Sequence, residues 1–227
     1  MIGLISDIHG NYSALSSVLR TLDMLDVSDI MCLGDVAGYY CQINECCDAL
    51  RVRNIPVLLG NHDFYLTRNV PCPRSNSANR CLDHQRQVIR EDNFNWLAAQ
   101  QSQARWHEIS VVHGGWNDPL DEYLVPSSQY FLPLDGSVFA SGHTHVQLTW
   151  EGEGKKYCNP GSVGQPRDGN PAAAFAIWDG ERFSTRRIAY DIKSVHQAMA
   201  DAGFTRYFSE NLENGSMIGG GVVPAAL

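Results

Sequence analysis

The sequence lacks any apolar run long enough to cross a membrane. The stretches that exist are short and broken by Asp, His, Gly or Pro, well under the roughly 20 residues a spanning helix needs. Positive charge is also scarce. With 17 Lys+Arg against 25 Asp+Glu the formal charge is -8, which excludes a nucleic-acid or anionic-membrane surface built on general basicity. Read naively, that balance should repel phosphate as well. No two of the 7 cysteines are spaced as Cys-x-x-Cys, so neither a zinc knuckle nor a thioredoxin-like redox pair is indicated. Their odd number points to free thiols in a reducing cytoplasm. The first basic residue is Arg20, so Met1–Ile5 reads as a strand and not as a signal peptide. Two catalytic signatures are missing too. The glycines at Gly114-Gly115 and Gly219–Gly221 lack a phosphate-loop Lys, and Ser141-Gly142-His143 is not a Gly-x-Ser-x-Gly elbow.

What is present is a repeated grammar. Short apolar runs end in a small residue followed by Asp, Asn or His: Ile2–Ser6, Asp29–Leu33, Ile55–Leu59, Glu108–Val112 and Ser137–Ser141. Such runs, bounded by turn residues, predict buried strands. Between the early ones the spacing predicts helices after Asn11, a candidate N-cap, and over Ile43–Val52. Strand–helix–strand alternation implies a parallel sheet, whose ligands gather at the carboxyl ends of the strands. Asn76–Gln101 is expected to be helical. Val146–Trp150, Lys155–Cys158, Ala173–Trp178 and Arg182–Ala189 read as later hairpin strands, and Asp191–Ala202 as a closing helix. A chain of 227 residues suits one domain over residues 1–210, with a loosely ordered tail over 211–227.

Five of the 8 histidines, His9, His62, His113, His143 and His145, fall in the polar clusters beside Asp7, Asp35, Asn61 and Asp63. A lone His is usually a satisfied core or surface residue, a reading that suffices for His84, His107 and His196. It is poor for five that each follow a strand. Imidazole and carboxylate without thiolate suit divalent Mn, Fe, Ni or Zn. There are too many ligands for one tetrahedral ion and about enough for two, a clamp for displacement at phosphorus. Asp7 and His9 are two apart, so on an extended strand end they point the same way, as do His143 and His145. Asp35 is the natural candidate to bridge both ions.

Asp-x-His at Asp7, Gly-Asp at Gly34, Gly-Asn-His-Asp at Gly60, His-Gly-Gly at His113 and Gly-His-Thr-His at Gly142, in this order, resemble the calcineurin-like metallophosphoesterase superfamily. Asn159–Arg167 is similar to a loop of its small prokaryotic phosphodiesterase branch. The resemblance implies a four-layer α/β/β/α sandwich of two mixed sheets, early βαβ units supplying one and later hairpins much of the other. It implies that Asp7, His9, Asp35 and His145 hold one ion, and Asp35, Asn61, His113 and His143 the other, with Mn the expected metal. A metal-bridging water would be the nucleophile, and His62 would protonate the leaving alkoxide. Asp63 has two readings, a partner orienting His62 or a turn residue. Arg167 could reach a substrate phosphate, although surface or loop-fixing contacts are the default for a single arginine.

The expected reaction is hydrolysis of a small phosphodiester. The alternatives are a monoester, a phosphoprotein or a dinucleoside polyphosphate. Gly38 stands where the protein phosphatases of the superfamily carry the Asp of Asp-Arg-Gly, which argues against that branch. A non-catalytic scaffold, like the phosphoesterase-fold subunit of the retromer coat, and a nuclease are the rivals. Retention of every motif position weighs against the first, and acidity weighs against long nucleic acids as partners. Specificity should lie in Phe64–Asn95 and Trp116–Leu132. There Phe64, Tyr65, Trp116, Tyr123, Tyr130 and Phe131 are candidates to stack a base, with core packing as the default. No membrane partner is expected, and the sequence does not fix an oligomeric state.

Overall fold

A computed structural model describes residues 1–223. The first two apolar runs form β1 (Ile2–Ile5) and β2 (Asp29–Cys32), parallel neighbours joined through α1 (Tyr12–Met24). Asn11 caps α1, its side-chain oxygen accepting the Ala14 N–H at 3.1 Å. Period-2 alternation then sorts the side chains. Ile2, Leu4, Met31 and Leu33 point to one face, while Ile5, Ile30 and Cys32 point to the other, against α1 and α2 (Ile43–Val52).

Two mixed sheets result. The first has the order β2-β1-β8-β9, with β8 spanning Ala173–Trp178 and β9 Phe183–Ile188. The second runs β3 (Gln103–Trp106), β4 (Ile109–Val112), β5 (Val138–Ala140), β7 (Lys155–Pro160) and β6 (Gln147–Gly152). Between them lies a layer of Leu4, Met31, Val111, Ala140, Cys158 and Trp178. α1, α2 and α7 (Ile192–Asp201) cover the first sheet. The second is covered by Trp116, Leu124 and Phe131, the last on the short α6 (Ser128–Phe131). This is the α/β/β/α sandwich, with the parallel strands β1, β2, β4 and β5 all delivering their carboxyl ends to one edge.

Several local expectations need correction. Ile55–Leu59 makes only a single bridge, Val57 to Cys32, because Pro56 has no N–H for a ladder and offers only its carbonyl, to Cys32 N–H at 3.0 Å. Asn76–Gln101 is three pieces, not one: α4 (Asn76–Val88), an extended break at Ile89 and Arg90, and α5 (Glu91–Ala98). Asn44 holds the break open, donating to Val88 O and accepting from Arg90 N–H. Between Asn61 and Thr67 a short helix, α3, starts in the motif itself. The later hairpins are divided: β6–β7 joins the second sheet and β8–β9 the first. The segment from Asn211 is not loosely packed at its start, since Asn211, Leu212 and Ser216 are buried; residues 224–227 lie outside the described residues. Among the described residues no helix is long and apolar enough to cross a membrane.

Candidate metal centre

Seven of the eight predicted positions meet at that edge as two buried groups sharing one carboxylate. Asp7, His9, Asp35 and His145 present ligand atoms within 4.8 Å of one another, and Asp35 does the same with His113 and His143. Asn61 joins the second group, its Oδ1 lying 3.1 Å from both His113 Nε2 and His143 Nδ1. His62 stands beside them, its ring 4.9 Å from that of His9.

The convergence does not come from extended strand ends. Asp7, His9, Asp35, His143 and His145 all have φ between +53° and +66°, the left-handed region that costs roughly 1–2 kcal/mol for a residue with a Cβ. Neighbouring loops hold them there. Asp7 N–H and His9 N–H donate to Gly34 O and Asp35 O, and Gly142 N–H donates to His113 O at 2.9 Å. The Asn159–Arg167 loop clasps the first strand's end, with Ser162 Oγ on Asp7 O at 2.7 Å. Gly60 permits the closest approach: a Cβ there would lie 2.1 Å from Asp35 Oδ1.

Each carboxylate is anchored by one oxygen. Asp7 Oδ2 accepts His143 N–H at 3.0 Å, and Asp35 Oδ1 accepts His62 N–H at 2.8 Å. The other oxygens, Asp7 Oδ1 and Asp35 Oδ2, are buried without any hydrogen-bond partner, as is His143 Nε2. The imidazoles are oriented too. His9, His113 and His145 donate Nδ1–H to the carbonyls of Ala37, Leu33 and Gln165 at 2.7, 2.8 and 2.6 Å. That tautomer, assigned from the partners, turns each Nε2 toward the shared space.

Charge completes the picture. Burial works to raise the Asp7 and Asp35 carboxyls, but the histidines outweigh it: His145 acts on Asp7, His113 and His62 on Asp35, and both stay well below the ordinary carboxylate range. Burial drives His9 and His145 down, keeping their rings neutral. Burial opposes charging His113 as well, yet the Asp35 carboxylate pushes it up to about 10. Anionic oxygens without donors beside the neutral imidazoles of His9 and His145, all buried, form a donor set that fits divalent cations.

The structure decides between the two readings of Asp63. Its carboxylate does not touch His62. Oδ2 accepts from Asp35 N–H at 2.8 Å and Gly60 N–H at 3.0 Å, and Oδ1 from Ala37 N–H at 2.8 Å. It therefore pins the β2 loop to the start of α3. His62 Nδ1 is buried without a partner, and burial pulls its pKa down to about 4. At Gly38 a Cβ would lie 2.1 Å from His9 Nδ1, so no carboxylate fits where the protein phosphatases place one.

A narrow cleft leads to this cluster, lined by His62, Tyr39, Arg74, Tyr123 and Arg167 among others. Tyr39, a neighbour of the Gly34-Asp35 motif in sequence, carried no signal of its own. Of the candidate base-stacking aromatics, Tyr123 alone lines the cleft, its ring 4.5 Å from that of His143. Trp116, Tyr130 and Phe131 pack on the second sheet, Phe64 packs at the helical core, and Tyr65 is buried edge-on to His62. His84, His107 and His196 lie elsewhere, against Phe204, Asp29 and Ser209. Of the two default readings of Arg167, surface or loop-fixing contacts, the structure shows the second: the side chain is 5% exposed and bonds to Gln165 and Tyr39.

A two-sheet sandwich with a buried Asp/His cluster at the carboxyl edge is the frame of a metal-dependent phosphoesterase, and the chain belongs to the calcineurin-like phosphoesterase superfamily, whose domain matches residues 1–182. It is 30% identical over 235 residues to an uncharacterized protein of Methanocaldococcus jannaschii, covering 93% of this chain and 97% of that one. A metallophosphoesterase from Sphaerobacter thermophilus superposes with a TM-score of 0.82 at 30% identity, covering 94% of this chain and 98% of the other. A hypothetical protein from Pyrococcus horikoshii shares the fold at a TM-score of 0.84 and 17% identity, over 98% and 100% of the two chains.

Proposed function

We propose that the protein hydrolyses a small phosphodiester in the cytoplasm, using two divalent ions, with Mn the expected metal. The observation that carries the reading is the pair of ligand groups sharing Asp35, with an unpaired oxygen on each of Asp7 and Asp35. Asp7, His9, Asp35 and His145 would hold one ion, and Asp35, Asn61, His113 and His143 the other. Such ions supply Lewis-acid polarisation of a phosphoryl oxygen and acidify bound water. The chain's own residues do the rest. Asp35, fixed by His62 N–H through Oδ1, keeps Oδ2 free toward both groups. His62, with no side-chain partner among the described residues, is left to hold a proton for the leaving oxygen. Burial depresses its basicity in the free site, and an anionic phosphoryl group beside it opposes that depression.

The ester's organic part has a place to go. Tyr123 is shared between the catalytic cleft and an apolar cavity of about 190 Å³ that includes Leu124, Val125, Val146 and Leu148. The reading is tested by stripping metal, restoring Mn, Ni, Zn or Mg singly, and comparing a chromogenic diester with its monoester. Mn should restore hydrolysis, with the diester turned over faster. Failure of every metal on both esters would overturn this reading and favour the scaffold.

A further inference from the structure

Arg167 is a buried cation without an anion. No carboxylate of the described residues lies within ion-pair distance of it. Guanidinium groups cannot shed their proton, so this one stays charged beside a site that gathers further cations. Part of it is engaged. Nε and Nη2 donate to Gln165 Oε1 at 3.0 and 2.8 Å, Nη2 also donates to Tyr39 OH at 3.0 Å, and the group lies over the Tyr39 ring at 5.4 Å. Nη1 has no hydrogen-bond partner among the described residues, while the side chain lines the same cleft as Asp35, His62 and His145.

We propose that Arg167 receives a non-bridging oxygen of the phosphoryl group, and that the segment after the family-matched region sets it in place. This rests on the phosphoesterase reading and adds the anion's protein-side contact, distinct from the metal ligands. The arginine is coupled to the ligands through its backbone. His145 donates Nδ1–H to Gln165 O at 2.6 Å, and Arg167 N–H donates to His145 O at 3.3 Å. Behind it runs a chain of buried polar groups. Asn211 Nδ2 and Gln165 Nε2 both donate to Tyr40 OH, at 3.1 and 3.2 Å. With its amide nitrogen spent on Tyr40, Gln165 can offer Arg167 only its oxygen. Val223 N–H closes the arrangement on Arg167 O at 2.7 Å. Asn211 and Val223 are therefore positioning residues, and Arg167 is the group that meets substrate. A planar fork held on one side and free on the other suits a tetrahedral oxyanion.

The test uses Mn-loaded protein and inorganic phosphate as the probe, with metal content measured alongside. Arg167→Met should keep its metal, weaken phosphate binding about tenfold or more, and raise KM for the ester, as loss of a charge-assisted hydrogen bond requires. Arg167→Lys, which keeps charge but loses the fork, should fall between. Asn211→Leu should weaken phosphate severalfold at unchanged metal content. Phosphate affinity within twofold of the parent in Arg167→Met overturns the proposal. So does loss of metal together with phosphate in both arginine variants, because the arginine would then only be holding the ligand loop. Weakened phosphate binding in Arg167→Met, with no ester hydrolysed by the unmodified protein, would spare this proposal and overturn the esterase reading.

Discussion

His9 Nε2 and His145 Nε2 face each other across 3.0 Å, and neither has a proton to share, because each ring spends its one N–H on a backbone carbonyl. Two lone pairs at that distance repel unless a cation stands near both. The pair is therefore a reporter of metal. Mn-loaded protein should melt several degrees above chelator-treated protein, and the gap should grow with free metal as linkage requires. Equal melting with and without metal would show that this pair needs no cation.

Asp35 serves both ligand groups, so its loss should not be confined to one. Asp35→Asn keeps the size and the Oδ1 contact to His62 N–H but removes the charge. Turnover should drop below detection, and metal content should fall for both ions, read by elemental analysis after gel filtration. A variant retaining one full equivalent would assign Asp35 to a single ion.

His62 ligates nothing in this arrangement. His62→Ala should keep the metal content of the parent while kcat falls about 10²–10⁴-fold on an alkyl diester. The fall should be much smaller on a nitrophenyl diester, whose leaving group needs no proton. Equal losses on both substrates would remove His62 from the proton-donor role.

At Gly60 the constraint is space and not backbone angle, since its φ of -89° is open to any residue. Gly60→Ala drives a methyl into Asp35 Oδ1 and Asp35 N, so metal affinity should fall at least tenfold with the far-UV spectrum unchanged. Normal metal affinity in this variant would mean that the Asp35 loop can yield.

Asp63→Ala leaves the N–H groups of Asp35, Ala37 and Gly60 buried without acceptors. Urea denaturation should show a loss of about 3 kcal/mol or more, at roughly 1–3 kcal/mol per orphaned donor. A loss under about 1 kcal/mol would mean that water replaces the carboxylate.

The Asp/His clusters were legible because these residue types recur in fixed places after strands, and their division between two ions came from the family resemblance. β1, β2 and β4 were legible as short apolar runs bounded by turn residues, and the layers came from the family resemblance. β3 gave no signal: Gln103, Ala104 and Arg105 form an exposed edge, and the turn to β4 runs through His107 at φ 53° without a glycine. The strand expected at Ile55–Leu59 failed on Pro56. Asp63 and Arg167 were undecided because their roles depend on partners 28 and 128 residues away, Asp35 and Tyr39, and no local pattern encodes such pairings. The same distance hid the work of Asn211, 171 residues from Tyr40.

The left-handed backbone shared by five ligand positions bears on when the centre comes into being during synthesis. Those conformations are disfavoured in an unfolded chain, and here they depend on loops that span residues 6 to 164. β1, which carries the first ligands, pairs with β8 only after residue 173 has been made. A ribosome-bound fragment ending before that point carries every one of these residues but lacks the strand that pairs with β1. Presentation of the Asp/His set is therefore a property of the assembled loops and not of the motifs taken singly.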